Sequence, residues 1–193
     1  MMKTHLLAVL VTLFCLGFAF GSQAQKKQYV AKNSTVKLDF ATKAGSIVGE
    51  NQSATSALNP KTGQMLFTVP VQAFKFKRAI VQKYFNYPGL VYSKKYPFIK
   101  FKGKIVDFGA IKLRKKREYE IVIEGELTMR GVTRPIKATG KLTTGRKEVV
   151  GFAQFNIPDI SKYGLGKVNG KPVIQAVRGI GVDVTVNATY KRK

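Results

Sequence analysis

Hydrophobic and polar residues alternate with a period of two along most of this chain. Over residues 98–108, Ile99, Phe101, Gly103 and Ile105 alternate with Lys100, Lys102 and Lys104, so one face is apolar and the other cationic. Successive side chains of a strand point to opposite faces, so the pattern predicts a half-buried strand. Over residues 118–128, Tyr119, Ile121, Ile123, Gly125 and Leu127 alternate with Glu118, Glu120, Glu124 and Glu126, broken only by Val122. Near the C-terminus Val182, Val184, Val186, Ala188 and Tyr190 alternate with Asp183, Thr185, Asn187 and Thr189. Further strands are predicted over residues 35–40, 64–71, 136–143 and 149–157, separated by Asn-Pro, Thr-Gly and Gly-Arg turn signals.

Only residues 74–87 carry a helical period. There Phe76, Ala79, Ile80, Tyr84 and Phe85 recur at helical spacing until Pro88-Gly89 stops the pattern, which predicts one short helix near residues 76–87. Seven or eight antiparallel strands with one helix make an all-β fold, a closed barrel or a sandwich, since antiparallel sheets must dispose of their edges. An eight-stranded closed sheet encloses space for side chains or for one small ligand. Here the inner surface is Ile, Val, Phe, Tyr and Gly, which suits an apolar guest.

The N-terminus changes what chemistry is available. Met1, Met2 and Lys3 precede an apolar run from Leu6 to Phe20, and Ser22 and Ala24 are small. This is the pattern of a secretory signal peptide over residues 1–24, cleaved after Ala24. This run of 15 residues falls short of the roughly 20 needed to span a bilayer. Export to a periplasmic or extracellular compartment is therefore expected, with residues 25–33 as an N-terminal extension, 34–190 as the barrel domain and 191–193 as a basic tail. Cleavage removes His5, Cys15 and Lys3, and the whole chain has no Trp. A domain without imidazole or thiolate has no Ser-His-Asp or Cys-His nucleophile, no Cys/His zinc site and no disulfide. No cofactor and no metal are expected.

Two motifs carry a resemblance. The segment GELTMRGVTRPI, from Gly125 to Ile136, is similar to the signature turn of the YceI-like family, a Gly-x-Leu-Thr-x-x-Gly-x-Thr-x-Pro pattern between two strands. Upstream, Tyr84-Phe85-Asn86 followed by Tyr96-Pro97-Phe98-Ile99-Lys100-Phe101 resembles the family's helix end and the Tyr-Pro-x-Ile-x-Phe start of its next strand. The resemblance covers most of residues 34–190. It implies a lipocalin-like barrel, secreted or periplasmic, that binds a polyisoprenoid, quinone, fatty acyl or similar lipid and is not an enzyme. The expected apolar lining is Ile99, Phe101, Ile105, Ile121, Ile123, Leu127, Val182, Val184 and Val186, with Tyr84 and Phe85 at the mouth. Arg130, Arg134 and Arg178 are the headgroup candidates, because guanidinium groups meet phosphate bidentately. The chain departs from the family in lacking a His over residues 40–45 and in the polar segment of residues 49–58.

Charge adds a second possibility. With Lys3 removed, 33 basic residues oppose 10 acidic ones, a balance of +23. For an exported protein this points to an anionic membrane surface or an acidic polymer, and no nucleic acid is expected as partner. The alternative to the carrier is thus a cationic surface module with a filled core. Glu124 and Glu126 lie two apart on one strand face, but Lys100, Lys102 and Lys104 offer a cationic face that would pair with them across strands, which argues against a catalytic pair. Oligomeric state has no signature in the sequence.

Overall fold

The structure, a computed structural model, describes residues 28–42, 45–169, 171–172 and 179–193 of the chain. The strands in chain order are β1 (Tyr29–Thr42), β2 (Gly45–Leu58), β3 (Gln64–Pro70), β4 (Lys75–Phe76), β5 (Phe98–Ile105), β6 (Arg117–Met129), β7 (Val132–Thr144), β8 (Glu148–Ile157), β9 (Lys167–Val168), β10 (Lys171–Pro172) and β11 (Val182–Arg192). One helix, α1 (Ala79–Phe85), lies between β4 and β5. Eight strands close into an antiparallel barrel in the order β1-β11-β8-β7-β6-β5-β3-β2, with β2 returning to β1. The short β4 adds to β2, while β9 and β10 pair with each other.

The alternation does what the pattern predicts. On β6, Ile121, Ile123 and Leu127 are buried while Glu118, Glu120, Glu124 and Glu126 are exposed. On β11, Val182, Val184, Ala188 and Tyr190 are buried. The register sets Lys104 opposite Glu124 and Lys102 opposite Glu126. The ion pairs nevertheless run to the other neighbour: Lys137 meets Glu124 at 3.2 Å, and Lys141 meets Glu118 at 3.0 Å and Glu120 at 3.2 Å. The turn between β6 and β7 is Arg130-Gly131, both with positive φ (51° and 77°). Two consecutive left-handed residues make the hairpin turn whose twist matches that of the flanking strands.

Several boundaries differ from the sequence reading. The first strand begins at Tyr29, not near residue 34, and buries Tyr29 and Ala31, so residues 29–33 belong to the barrel wall. The final strand likewise runs through Lys191 and Arg192, paired with Val30 and Tyr29. A strand over residues 45–58, absent from the sequence reading, pairs with β1, β3 and β4. The helix is shorter than predicted. Phe74 closes a single 3-10 turn (Val71–Ala73) and Phe76 belongs to β4, because their two-residue spacing serves a strand as well as a helix. The predicted leader at residues 1–24 lies outside the described residues.

The core divides along the barrel axis. One cluster, at the end where β1 begins and β11 ends, contains Tyr29, Leu58, Ile105, Phe108, Leu142 and Tyr190. The other, at the end that carries α1 and the β6–β7 turn, contains Leu38, Val69, Phe85, Leu127, Ile160 and Val184. These ends are called the floor and the mouth.

Candidate ligand cavity

Within the mouth cluster lies a cavity of about 120 Å³, set in a wider space of about 990 Å³ that includes its opening to solvent. Among the described residues, all 24 that line it are apolar. A void without polar partners cannot hold water favourably, so it stays dry and available to hydrocarbon. The enclosed volume is smaller than the roughly 300 to 1,000 Å³ typical of small-molecule sites, so a long chain would extend from it into the open mouth.

The wall comes from the alternating strands. Val36, Leu38 and Phe40 of β1, Ile99 and Phe101 of β5, and Val182, Val184 and Val186 of β11 face inward. Two connections roof the mouth. Phe74, Phe85 and Val91 come from the β3–β5 connection, and Ile160 and Leu165 from the β8–β11 connection. Phe85 is held by Phe74 (ring centroids 5.4 Å, edge-on) and by Phe76 (4.7 Å). Phe76 in turn lies over Gly49, where any Cβ would stand 2.5 Å from the ring. The second roof segment is organised by Asp159, whose carboxylate accepts from Ser161 N at 2.9 Å and Gly179 N at 3.3 Å. The hydrogen bond from Ser161 first, then that from Gly179 and the nearby Lys162, hold its pKa below the usual carboxylate value. Gly166 N donates to Gly89 O at 2.7 Å and joins the two roof segments.

Most of the expected lining stands at the cavity: Ile99, Phe101, Ile123, Leu127, Val182, Val184, Val186 and Phe85. Three residues do not. Ile105 and Ile121 lie in the floor cluster, where the β5–β6 connection folds beneath them and Phe108 and Leu113 fill the space. Tyr84 does not gate the mouth, since it is 55% exposed on the outer side of α1, opposite Phe85. The sequence reading left the β1 and β8 contributions off the list. Their alternation, Val36-Leu38-Phe40 and Ala153-Phe155-Ile157, is the signal that finds them.

The arginines have other partners. Arg130 donates to Pro88 O at 2.8 Å and to Leu90 O through the same nitrogen, and to Lys167 O at 3.0 Å. Its guanidinium also lies 5.7 Å from the centre of the Tyr96 ring. Burial lowers its pKa, with Tyr96 and Tyr92 pulling the other way. Arg130 is therefore a clamp on both roof segments, with three of its five N–H donors given to carbonyls. Arg134 Nε donates to Lys162 O at 2.8 Å. That contact bridges a split in the wall, for β7 and β8 are paired only from Thr139 to Thr143. Arg178 lies outside the described residues. Glu124 and Glu126 are exposed on the outer wall and do not reach the cavity.

A barrel with these motifs and a dry interior defines a class, and comparison with known proteins supplies the family. The YceI-like domain model matches residues 21–191, and the chain belongs to that family. No curated protein matches the sequence. The fold is similar to a polyisoprenoid-binding domain from Saccharophagus degradans implicated in plant cell wall breakdown, at 12% identity and a TM-score of 0.69, covering 86% of this chain and 98% of that one. It is also similar to BcnA of Burkholderia cenocepacia (15% identity, TM-score 0.63, 81% and 95% covered). The Campylobacter jejuni YceI protein is a third (15%, 0.51, 75% and 84%).

Proposed function

We propose that the protein is an exported carrier that holds a polyisoprenoid or a similar long-chain lipid, such as a quinone or fatty acyl chain, in the mouth half of the barrel, and that it performs no chemistry on it. The observation that carries this reading is the apolar wall that the described residues give the cavity. Each methylene moved out of water contributes about 0.8 kcal/mol, so a few isoprene units bind without a polar contact. The Saccharophagus degradans domain of similar fold, whose name states that it binds polyisoprenoid, supports the same ligand class. Export rests on the leader pattern of residues 1–24 and predicts a mature N-terminus at Gln25, read by intact mass.

The test is organic extraction of protein purified from its host, followed by mass spectrometry. An isoprenoid or acyl chain in stoichiometric amount is expected. Val184 lies on the cavity wall, so Val184→Phe places a ring in the free space and lowers uptake of added lipid at least about tenfold while the barrel stays folded. An empty extract, together with no uptake of added lipids, overturns the carrier.

A further inference from the structure

The outer side of the roof carries a feature that the cavity does not explain. On α1, Ile80, Lys83 and Tyr84 follow the spacing i, i+3, i+4 and so form one stripe, and Tyr87 follows two residues beyond the helix. Ile80 is 48% exposed, Tyr84 55% and Tyr87 51%, while Phe85 on the inner side faces the cavity. Phe98, at the same end of the barrel, is 47% exposed. Large apolar side chains in a row on a surface mark a contact site.

Charge says what the contact is. Between residues 71 and 97 the chain has six basic side chains, Lys75, Lys77, Arg78, Lys83, Lys94 and Lys95, and no acidic one. Indeed no Asp or Glu occurs from residue 51 to residue 106. Glu50 of β2, opposite Lys75, stands at the edge of the segment. On the wall the glutamates of β6 are set between the lysines of β5 and β7. The β5–β6 connection at the floor is also basic, with Lys112, Arg114, Lys115 and Lys116, but none of its large apolar side chains is among the exposed ones, so among the described residues only the α1 face joins positive charge to an exposed apolar stripe.

We propose that this face, α1 with its flanking lysines, docks the mouth of the barrel onto an anionic lipid bilayer. Tyr is favoured where one end of a side chain is apolar and the other wet, Ile80 inserts among acyl chains, and the lysines meet the headgroups. Single-stranded nucleic acid would also use basic and aromatic groups, but the aliphatic Ile80 and the position of the stripe over a hydrocarbon-lined cavity favour the bilayer. The proposal rests on the carrier reading for its purpose: a docked mouth lets a lipid pass between membrane and barrel without crossing water.

The test exploits the absence of Trp. In the full chain carrying Tyr84→Trp, vesicles of phosphatidylcholine with a quarter phosphatidylglycerol shift the indole emission to the blue, brominated acyl chains quench it, and pure phosphatidylcholine does neither. Reversing Lys77 and Lys83 to Glu lowers vesicle binding at least about tenfold. Reversing Lys115 and Lys116, at the floor, leaves it within about twofold. All these positions are exposed, and circular dichroism checks that each variant is folded. The proposal is overturned if the indole emission does not move, if the floor reversal weakens binding as much as the mouth reversal, or if a single-stranded oligonucleotide displaces the vesicles. Extractable lipid is measured on the same preparations. A mouth variant that keeps its lipid and loses the vesicles supports docking, whereas a protein that is empty, takes up no added lipid and still docks supports docking and removes the carrier.

Discussion

Leu142 and Leu38 each point inward from a barrel strand, and they are 2% and 9% exposed. Leu142 belongs to the packed floor and Leu38 lines the hollow mouth. The residue types around them are similar, so composition alone does not explain the difference. At the floor, the β5–β6 connection turns inward: Phe108 and Leu113 enter the barrel, and Phe108 packs against Gly63, where a Cβ would stand 2.5 Å from its ring. Tyr190 fills the centre and shares a 2.9 Å hydrogen bond with Ser56. At the mouth, the connections cross above the barrel, and short branched side chains such as Val36, Val69, Val182 and Val184 do not reach its axis. A hollow forms where the loops roof the barrel instead of plugging it.

The same truncation at both ends tests that account with the largest effect. Leu142→Ala removes a side chain packed on all sides and is expected to cost about 4 kcal/mol. Leu38→Ala, beside space that already lacks partner atoms, is expected to cost about 2 kcal/mol. Denaturant unfolding of delipidated protein measures both. Equal costs would mean that the mouth is packed as tightly as the floor. Adding lipid should then raise the stability of the Leu142→Ala variant as it does that of the parent, because a ligand that binds only the folded state stabilises it.

Glycines on the inner wall provide the next contrast. Gly103 and Gly125 face each other across β5 and β6, and the Phe101 ring lies over both. A Cβ at Gly103 would stand 2.4 Å from the ring edge and 2.5 Å from Glu124 O, so Gly103→Ala drives Phe101 toward the cavity. The expected cost is about 2 kcal/mol, with weaker lipid uptake. At Gly151 the nearest atom, on Tyr190, is 3.5 Å away, and Gly151→Ala should change stability by less than about 0.5 kcal/mol and leave uptake alone. Thermal melts and lipid titrations of the pair separate the two positions.

How far each feature is legible in the sequence follows from the physics that decides it. β5, β6 and β11 show in the alternation because each has one face in water. The strand over residues 45–58 does not, because Ala54 and Ser56 are small where they turn inward, Ser56 against Tyr190, and two neighbouring strands hold the segment. Ile99 and Ile105 read identically in the pattern. Only the path of residues 106–116 puts one beside the hollow and the other under a plug. Arg130 reads as a headgroup candidate until the fold brings Pro88, Leu90 and Lys167 to it, and those partners are about 40 positions away in sequence.

The floor's buried hydroxyl pair provides the smallest effect and a pH signature. Burial raises the Tyr190 pKa from 10.0 to about 12, with the Ser56 hydrogen bond partly offsetting it. The folded state thus keeps a proton that the unfolded chain releases. The stability linked to it is complete below pH 10 and declines as pH rises toward 12, by roughly 2 kcal/mol at pH 12. Tyr190→Phe lacks this term and loses the Ser56 partner, which costs about 1 kcal/mol at neutral pH. Burial also raises the Tyr163 pKa at the mouth, against the pull of Arg134, but that term and the lysines are common to both proteins. Subtracting the two unfolding curves therefore isolates Tyr190: the parent should be the more stable at pH 8 and lose that advantage between pH 10 and 12. A constant difference across that range would mean that water reaches the Tyr190 hydroxyl, and the floor would then be no better sealed than the mouth.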